Sequence, residues 1–295
     1  MSKKQRVRKA VIPVAGFGTR FLPATKAIPK ELLPIIDKPV IQYIVEEAVA
    51  SGIEEIIFVT SEHKNAIEDH FERNSGLETF LKQRQKDTEL STIQSLHQMA
   101  QFVYVHQDEP LGLGHAVLQA KDAVAGEPFI VFGGDDIIES TIPAAKQLIE
   151  VYEKYGGSVL GVVEVPKEAV NRYGVIDPLK QLEEGVTQIK DIVEKPKPHE
   201  APSQLAAVAR WLLTPEIFEE LEQTKPGAGG EIQLPDGIRT LLKKQSVFAK
   251  VYNGTYRDCG NKVEYLKAII AFSLQHPEMG EQLREYSKKY LDPIV

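Results

Sequence analysis

The stretch VIPVAGFGTRFLPATKAIPKELLPIIDKP, residues 11–39, decides how the rest of the chain is read. It opens as a buried apolar strand and breaks at Ala15-Gly16-Phe17-Gly18 into a loop that carries Arg20, Lys26 and Lys30. Glycines let backbone N–H groups approach an anion closely, and arginine and lysine add charge-assisted hydrogen bonds where negative charge must be held. A strand feeding such a loop is a place for phosphates. The loop is neither of the two common nucleotide loops: Phe21 stands where GxGxxG needs its third glycine, and the GK[ST] ending of a P-loop is missing. A bare GxG after a strand reads more readily as a glycine turn among solvated lysines. The surrounding chain has to decide.

Working outward, residues 9–14 form the strand that feeds the loop, and short β-type runs recur at 55–60, 102–106, 129–133 and 159–163. Their continuous apolar character predicts strands covered on both faces. Between them, 39–51, 114–124 and 142–155 carry apolar residues at three- and four-residue spacing, the mark of amphipathic helices. Strand alternating with helix predicts right-handed βαβ crossovers and a Rossmann-like α/β fold, with a mixed, mostly parallel central sheet and helices on both faces. After about Pro166 the pattern changes to strand-like segments at 173–177, 186–193 and 246–252, with helices at 215–222 and 234–243. These read as a mixed continuation of the same sheet, and 278–290 as a helix that packs on the body or on a second subunit. FGGDD, residues 132–136, ends a predicted buried strand and puts Asp135 and Asp136 at a strand's C-terminal edge, where open α/β sheets bind ligands. Adjacent carboxylates there suit a hard cation such as Mg2+, which takes one or two carboxylates and completes its shell with phosphate and water.

Composition narrows the function classes. The 295 residues are 42% hydrophobic and 26% charged, an ordinary globular balance. A net charge of -7 opposes a broad basic nucleic-acid face but leaves room for a local site for a small anion. With Cys259 as the only cysteine, neither an intramolecular disulfide nor a thiolate-rich zinc site can form, which fits a reducing compartment. The basic start MSKKQRVRK reads as a solvated tail, since the apolar stretch behind it is too short for a secretory signal. Nowhere do about 18 apolar residues run together, so a cytoplasmic protein without a membrane partner is expected. The seven histidines, His63 among them, show no paired metal spacing.

The longer pattern GxGTRFxPxTxxxPKxLLP, from Gly16 to Pro34, resembles the sugar nucleotidyltransferase family. Further blocks in that family's order are GLGHAV (112–117), VEKP (193–196), GEIQL (230–234) and DCGNK (258–262). Together with residues 15–49 they are similar to the bacterial UTP:glucose-1-phosphate uridylyltransferases, over roughly residues 8 to 275. The resemblance implies a nucleotide-diphospho-sugar transferase type of fold in a single catalytic domain over 1–275. Its nucleotide-binding part would span about 8–165 and its sugar-binding part about 166–275, leaving a helix in 276–295 as an oligomer contact. It also implies that glucose 1-phosphate attacks the α-phosphorus of UTP in line, giving UDP-glucose and pyrophosphate, with Mg2+ as cofactor and a homodimer or homotetramer as the assembly.

Roles follow from the same resemblance. Arg20, Lys30 and Lys195 take catalytic places, with Lys30 near the α-phosphate, Arg20 toward the departing pyrophosphate and Lys195 on the sugar phosphate. Ala15, Gly16, Glu31, Gln107 and Gly112 match base-binding positions. A carboxylate at Glu31 accepts from a pyrimidine N3–H, and a carboxamide at Gln107 donates to a carbonyl. Gly174 and Glu194 match sugar-binding positions, and Asp135 and Asp258 metal positions. Lys26 reads equally well as a phosphate contact or a surface lysine. Two alternatives stay open: dTTP or another sugar 1-phosphate in the same reaction, because a methyl group is worth only about 1–3 kcal/mol in a pocket, and a non-catalytic nucleotide-sugar sensor. The chain departs from the family pattern at Phe132, Gly133, Trp211, Pro235 and Gly237.

Overall fold

The computed structural model describes residues 4–62, 64–227 and 230–290; His63, Ala228, Gly229 and the two chain ends lie outside the described residues. Strand β1 (Lys9–Pro13) runs into the glycine loop and three single 3-10 turns at Thr19–Phe21, Ala24–Lys26 and Lys30–Leu32. A small hairpin, β2 (Pro34–Ile35) and β3 (Lys38–Pro39), leads into α1 (Val40–Ala50) and β4 (Glu55–Thr60). Three helices follow, α2 (Asn65–Phe71), α3 (Ser75–Gln83) and α4 (Asp87–Gln98), before β5 (Gln101–His106). Then come α5 (Leu113–Gln119), α6 (Lys121–Val124), β6 (Phe129–Phe132), β7 (Asp136–Glu139), α7 (Ala144–Tyr155) and β8 (Ser158–Glu164). The later chain forms β9 (Gly174–Glu183), β10 (Val186–Glu194), β11 (Leu205–Leu213), α8 (Ile217–Gln223) and α9 (Leu234–Leu241). It closes with β12 (Val247–Val251), β13 (Thr255–Asp258), α10 (Lys262–Gln275) and α11 (Gly280–Tyr290).

Nine strands make one sheet in the order β5-β4-β1-β6-β11-β8-β12-β10-β9. Strands β5, β4, β1 and β6 are mutually parallel, and β12 is parallel to β8. Only β11 and β10 run against the rest. The mixed, mostly parallel sheet is therefore what strand–helix alternation predicts. Side-chain alternation explains the two layers: Ile12, Phe58 and Ile130 point into a core with α1 and α7, whereas Val11, Ile57 and Val131 point into one with α5, α8 and α9. No helix among the described residues is long and apolar enough to cross a membrane.

Several expectations need correction. Strand β5 is not covered on both faces; it lies at the sheet edge with its middle half-buried and its ends exposed. The single helix expected over 114–124 is two, because at Ala120 the backbone tightens, its N–H bonding to Val117 O at 3.0 Å in an i→i+3 turn. Residues 61–100 hold α2–α4, and α4 has no fully buried residue to betray a stripe in the sequence. Strand β11, which no unbroken apolar run at 205–213 announces, sits between β6 and β8.

Behind the ligand edge lies a buried ion pair. Arg210 of β11 is fully buried and donates to both carboxylate oxygens of Glu47 on α1, at 3.0 and 2.6 Å. It also donates to Asp136 O at 3.0 Å and stacks over Phe132 with 4.6 Å to the ring centre. Glu47 in turn accepts from the Ala145 N–H at the start of α7. One ion pair thus ties α1, α7 and β11 to the Asp135–Asp136 loop.

Candidate active site

At the C-terminal ends of β1 and β6 the sheet opens into a cavity of about 800 Å³. Ala15, Gly16 and Arg20 enter it from the loop after β1, and Lys30 and Glu31 from the last of the 3-10 turns. Gln107 comes from just beyond β5, Gly112 from the start of α5, and Asp135 from the turn between β6 and β7. Gly174 from β9, Glu194 and Lys195 from the end of β10, and Asp258 from β13 complete the lining. Every site residue singled out in the sequence therefore faces one space. Lys26 is exposed and lies outside the lining.

The cations and carboxylates are tightly interlocked. Lys30 Nζ donates to Asp135 Oδ2 at 2.5 Å and lies 4.0 Å from Glu31 Oε1. Burial works against the Lys30 ammonium, yet the charges of Asp135 and Glu31 hold its pKa above the ordinary lysine value. Arg20 Nη1 donates to Gly260 O at 3.4 Å, which turns the guanidinium toward the Asp258 loop. Glu31 is only 1% exposed and accepts from Lys64 Nζ at 2.8 Å. Burial pushes the Glu31 carboxyl up despite Lys64 and Lys30, and pushes Lys64 down despite Glu31.

Oxygen donors collect on the other side of Lys30. Asp135 Oδ2 and Asp258 Oδ1 both crowd the open side of Gly260, where an added Cβ would meet them at 2.2 and 3.1 Å. Burial and then the Asp135 charge raise the Asp258 pKa against the pull of Arg172 and Arg20. Asp136, bonded by the Tyr256 hydroxyl at 2.7 Å, is pushed up to about 7 by burial and by Asp135. Carboxylates that discourage one another's ionisation form an under-neutralised oxygen donor set, which suits a hard divalent cation. Among the described residues no group of three or more His, Cys, Asp or Glu forms a metal cage of its own. An ion bound here must draw its remaining ligands from phosphate and water, and that fits Mg2+.

The two ends of the cavity differ. At one, Gln107 is 6% exposed, and its carboxamide lies 2.9 Å from His115 Nδ1. Gly112 adopts φ +99° where a Cβ would sit 2.8 Å from Ile232 O, so only glycine fits. The GEIQL block closes this end through the Ile232 N–H to Leu111 O and the Gly114 N–H to Ile232 O. At the other, Gly174 pairs across the β9–β10 register with Glu194, whose carboxylate lies 3.2 Å from Lys195 Nζ.

The nucleotidyl transferase family model matches residues 9–273. The chain belongs to the nucleotidyl transferase family. It is 50% identical to the UTP--glucose-1-phosphate uridylyltransferase of Staphylococcus epidermidis over 285 residues, covering 97% of this chain and 99% of that one. Its counterpart in Staphylococcus haemolyticus matches over the same shares, also at 50% identity. Among solved structures, a UTP-bound UGPase from Acinetobacter baumannii is 39% identical with a TM-score of 0.89, covering 97% of this chain and 100% of that one. A UDP-glucose pyrophosphorylase complexed with UDP-glucose is 42% identical with a TM-score of 0.84, covering 92% and 100%.

In this nucleotidyl transferase, sequence reading missed four residues that shape the site: Lys64 on Glu31, His115 on Gln107, Arg172 on Asp258 at 3.2 Å and Tyr256 on Asp136. His115 stands in the GLGHAV block and was within reach, and Arg172 directly precedes the strand-like segment at 173–177, whereas nothing around Lys64 marks it. Gly133, a departure from the family pattern, has a structural reason: a Cβ there would lie 2.0 Å from Asp136 Oδ2.

Proposed function

We propose that this nucleotidyl transferase converts UTP and glucose 1-phosphate to UDP-glucose and pyrophosphate. The observation that carries the reading is the convergence of Lys30, Arg20 and Lys195 on one cavity that Asp135 and Asp258 also line. Two polyanions must meet in such a reaction, and catalysis is chiefly alignment and charge neutralisation. Lys30 meets the α-phosphate, Arg20 the departing pyrophosphate and Lys195 the sugar phosphate, so that the sugar phosphate oxygen approaches in line. Ala15, Gly16, Glu31, Gln107 and Gly112 take the uracil, the carboxylate of Glu31 accepting its N3–H. Gly174 and Glu194 take the glucose hydroxyls. Asp135 and Asp258 would hold Mg2+, which supplies positive charge between the phosphates when bound. On this reading the nucleotide part covers about 8–165 and the sugar part about 166–275.

A cytoplasmic location is supported by the lone buried cysteine. A homodimer or homotetramer is supported by the outward face of α10, where Val263, Leu266 and Ile270 are 57–59% exposed at helical spacing. The activity is tested by pyrophosphate release from purified protein with UTP, dTTP, CTP or GTP, each with glucose 1-phosphate, with and without a magnesium chelator. UTP is expected to lead and the chelator to abolish turnover; preference for dTTP would retire the uridylyl reading.

A further inference from the structure

Lys64 does not line the cavity. It sits in the turn between β4 and α2, only 6% exposed, with its Nζ 2.8 Å from Glu31 Oε2. The other oxygen of that carboxylate lies 4.0 Å from Lys30 Nζ, and Lys30 donates to Asp135 Oδ2 at 2.5 Å. Four charges of alternating sign, Lys64, Glu31, Lys30 and Asp135, therefore run from the interior to the cavity. Lys30 stands between two carboxylates and pairs with Asp135.

We propose that Lys64 is a positioning residue that keeps Glu31 from capturing Lys30, so that the Lys30 ammonium stays on the cavity side where phosphate arrives. A carboxylate as buried as Glu31 has to be paired, because isolated charge is strongly disfavoured away from water. Lys64 fills that need from behind. Without it the nearest cation is Lys30, which has to move by about the difference between a loose contact and a hydrogen bond to close the pair. The ammonium is then drawn off Asp135 and away from the cavity. Nothing in the immediate sequence context of Lys64 indicates this role, and it deepens the proposed reaction, on which it rests.

The test compares pyrophosphate release, UTP binding by calorimetry and thermal melting for Lys64→Met, Lys64→Arg, Lys64→Met with Glu31→Gln, Lys30→Ala, and Lys30→Ala with Lys64→Met. Lys64→Met is expected to lower kcat and UTP affinity about tenfold each, and Lys64→Arg to retain most of both. The pair Lys64→Met with Glu31→Gln is expected to regain at least about threefold, since the amide keeps an acceptor oxygen but no charge to hold Lys30. In the Lys30→Ala background Lys64→Met should cost little more, because the group it acts through is gone. Unchanged kcat in Lys64→Met, no recovery in the pair, or full multiplication of the Lys30→Ala and Lys64→Met losses would overturn the proposal. If the unmodified protein releases no pyrophosphate from any pair of substrates, the reaction reading fails instead, while the calorimetric series still decides the role of Lys64.

Discussion

On the proposed reading, Lys30 is held by charges that a bound nucleotide must replace. Its ammonium is paired with Asp135 at 2.5 Å, so a phosphate arriving there exchanges one anion for another and meets a cation already in place. Lys30→Ala should cut pyrophosphate release by about 10²–10³, the usual worth of one preorganised charge at a reacting centre. Its melting temperature should stay within a few degrees, since the side chain is not part of the apolar core. A second prediction concerns His70, half-buried on α2 with Nε2 3.2 Å from Gln42 Oε1 on α1. Burial lowers its pKa, so the folded chain favours the neutral ring. The folded value lies below that of a free histidine near 6.5, so stability is full above about pH 6.5 and falls as the pH drops through it. Melts at pH 7.5 and 5.5 should show this loss, and His70→Gln should shrink it; an equal loss in the variant would assign it elsewhere. Arg20, Lys30 and Asp135 were legible because their chemistry sits in contiguous blocks beside a strand end. Lys64 and Tyr256 were not, because each acts on a partner more than thirty residues away, and spacing carries no trace of such a contact.

Elements that read clearly were those with one dominant environment. Strands β1, β4 and β6 are buried almost throughout, and their unbroken apolar runs say so. Strand β11 is just as buried but begins Leu-Ala-Ala-Val-Ala-Arg, where alanines of weak strand preference and an arginine mask it. That arginine is the clue in retrospect: Arg210 is tolerated in the interior only because Glu47 meets it from α1. Removing one member of a buried pair leaves the other uncompensated at a cost of about 3–5 kcal/mol. Glu47→Ala should therefore lower the melting temperature by about 10 °C. The same change should reduce turnover below that melt, since Arg210 also fixes the carbonyl of Asp136, next to Asp135 at the cavity. A melt within a degree or two of the original would show that the pair is not carrying α1 onto the sheet. Helix α10 was missed for the opposite reason: Ala268 is its only fully buried residue, and its apolar residues divide between a half-buried face at Tyr265, Ile269 and Phe272 and an exposed one at Val263, Leu266 and Ile270.

At the scale of the whole molecule, that outward face carries the assembly prediction. Leu266→Glu with Ile270→Glu adds like charge to an exposed apolar stripe and leaves the core untouched. Light scattering on the variant should report a smaller particle than the unmodified protein; an unchanged mass would move the contact to another surface. The α/β class and the shared cavity were legible because the ligand edge of an open sheet gathers strand ends from along the chain. The strand order was not, since β11 reaches back to divide β6 from β8. That late insertion has a consequence for manufacture. While a ribosome is still making the chain, the flanks of β6 and β8 that will receive β11 present bare hydrogen-bonding edges until residues 205–213 have emerged. Translation must pass two thirds of the message before this sheet can seal, so the unfinished polypeptide carries open strand edges long after its glycine loop at residues 15–18 has been made.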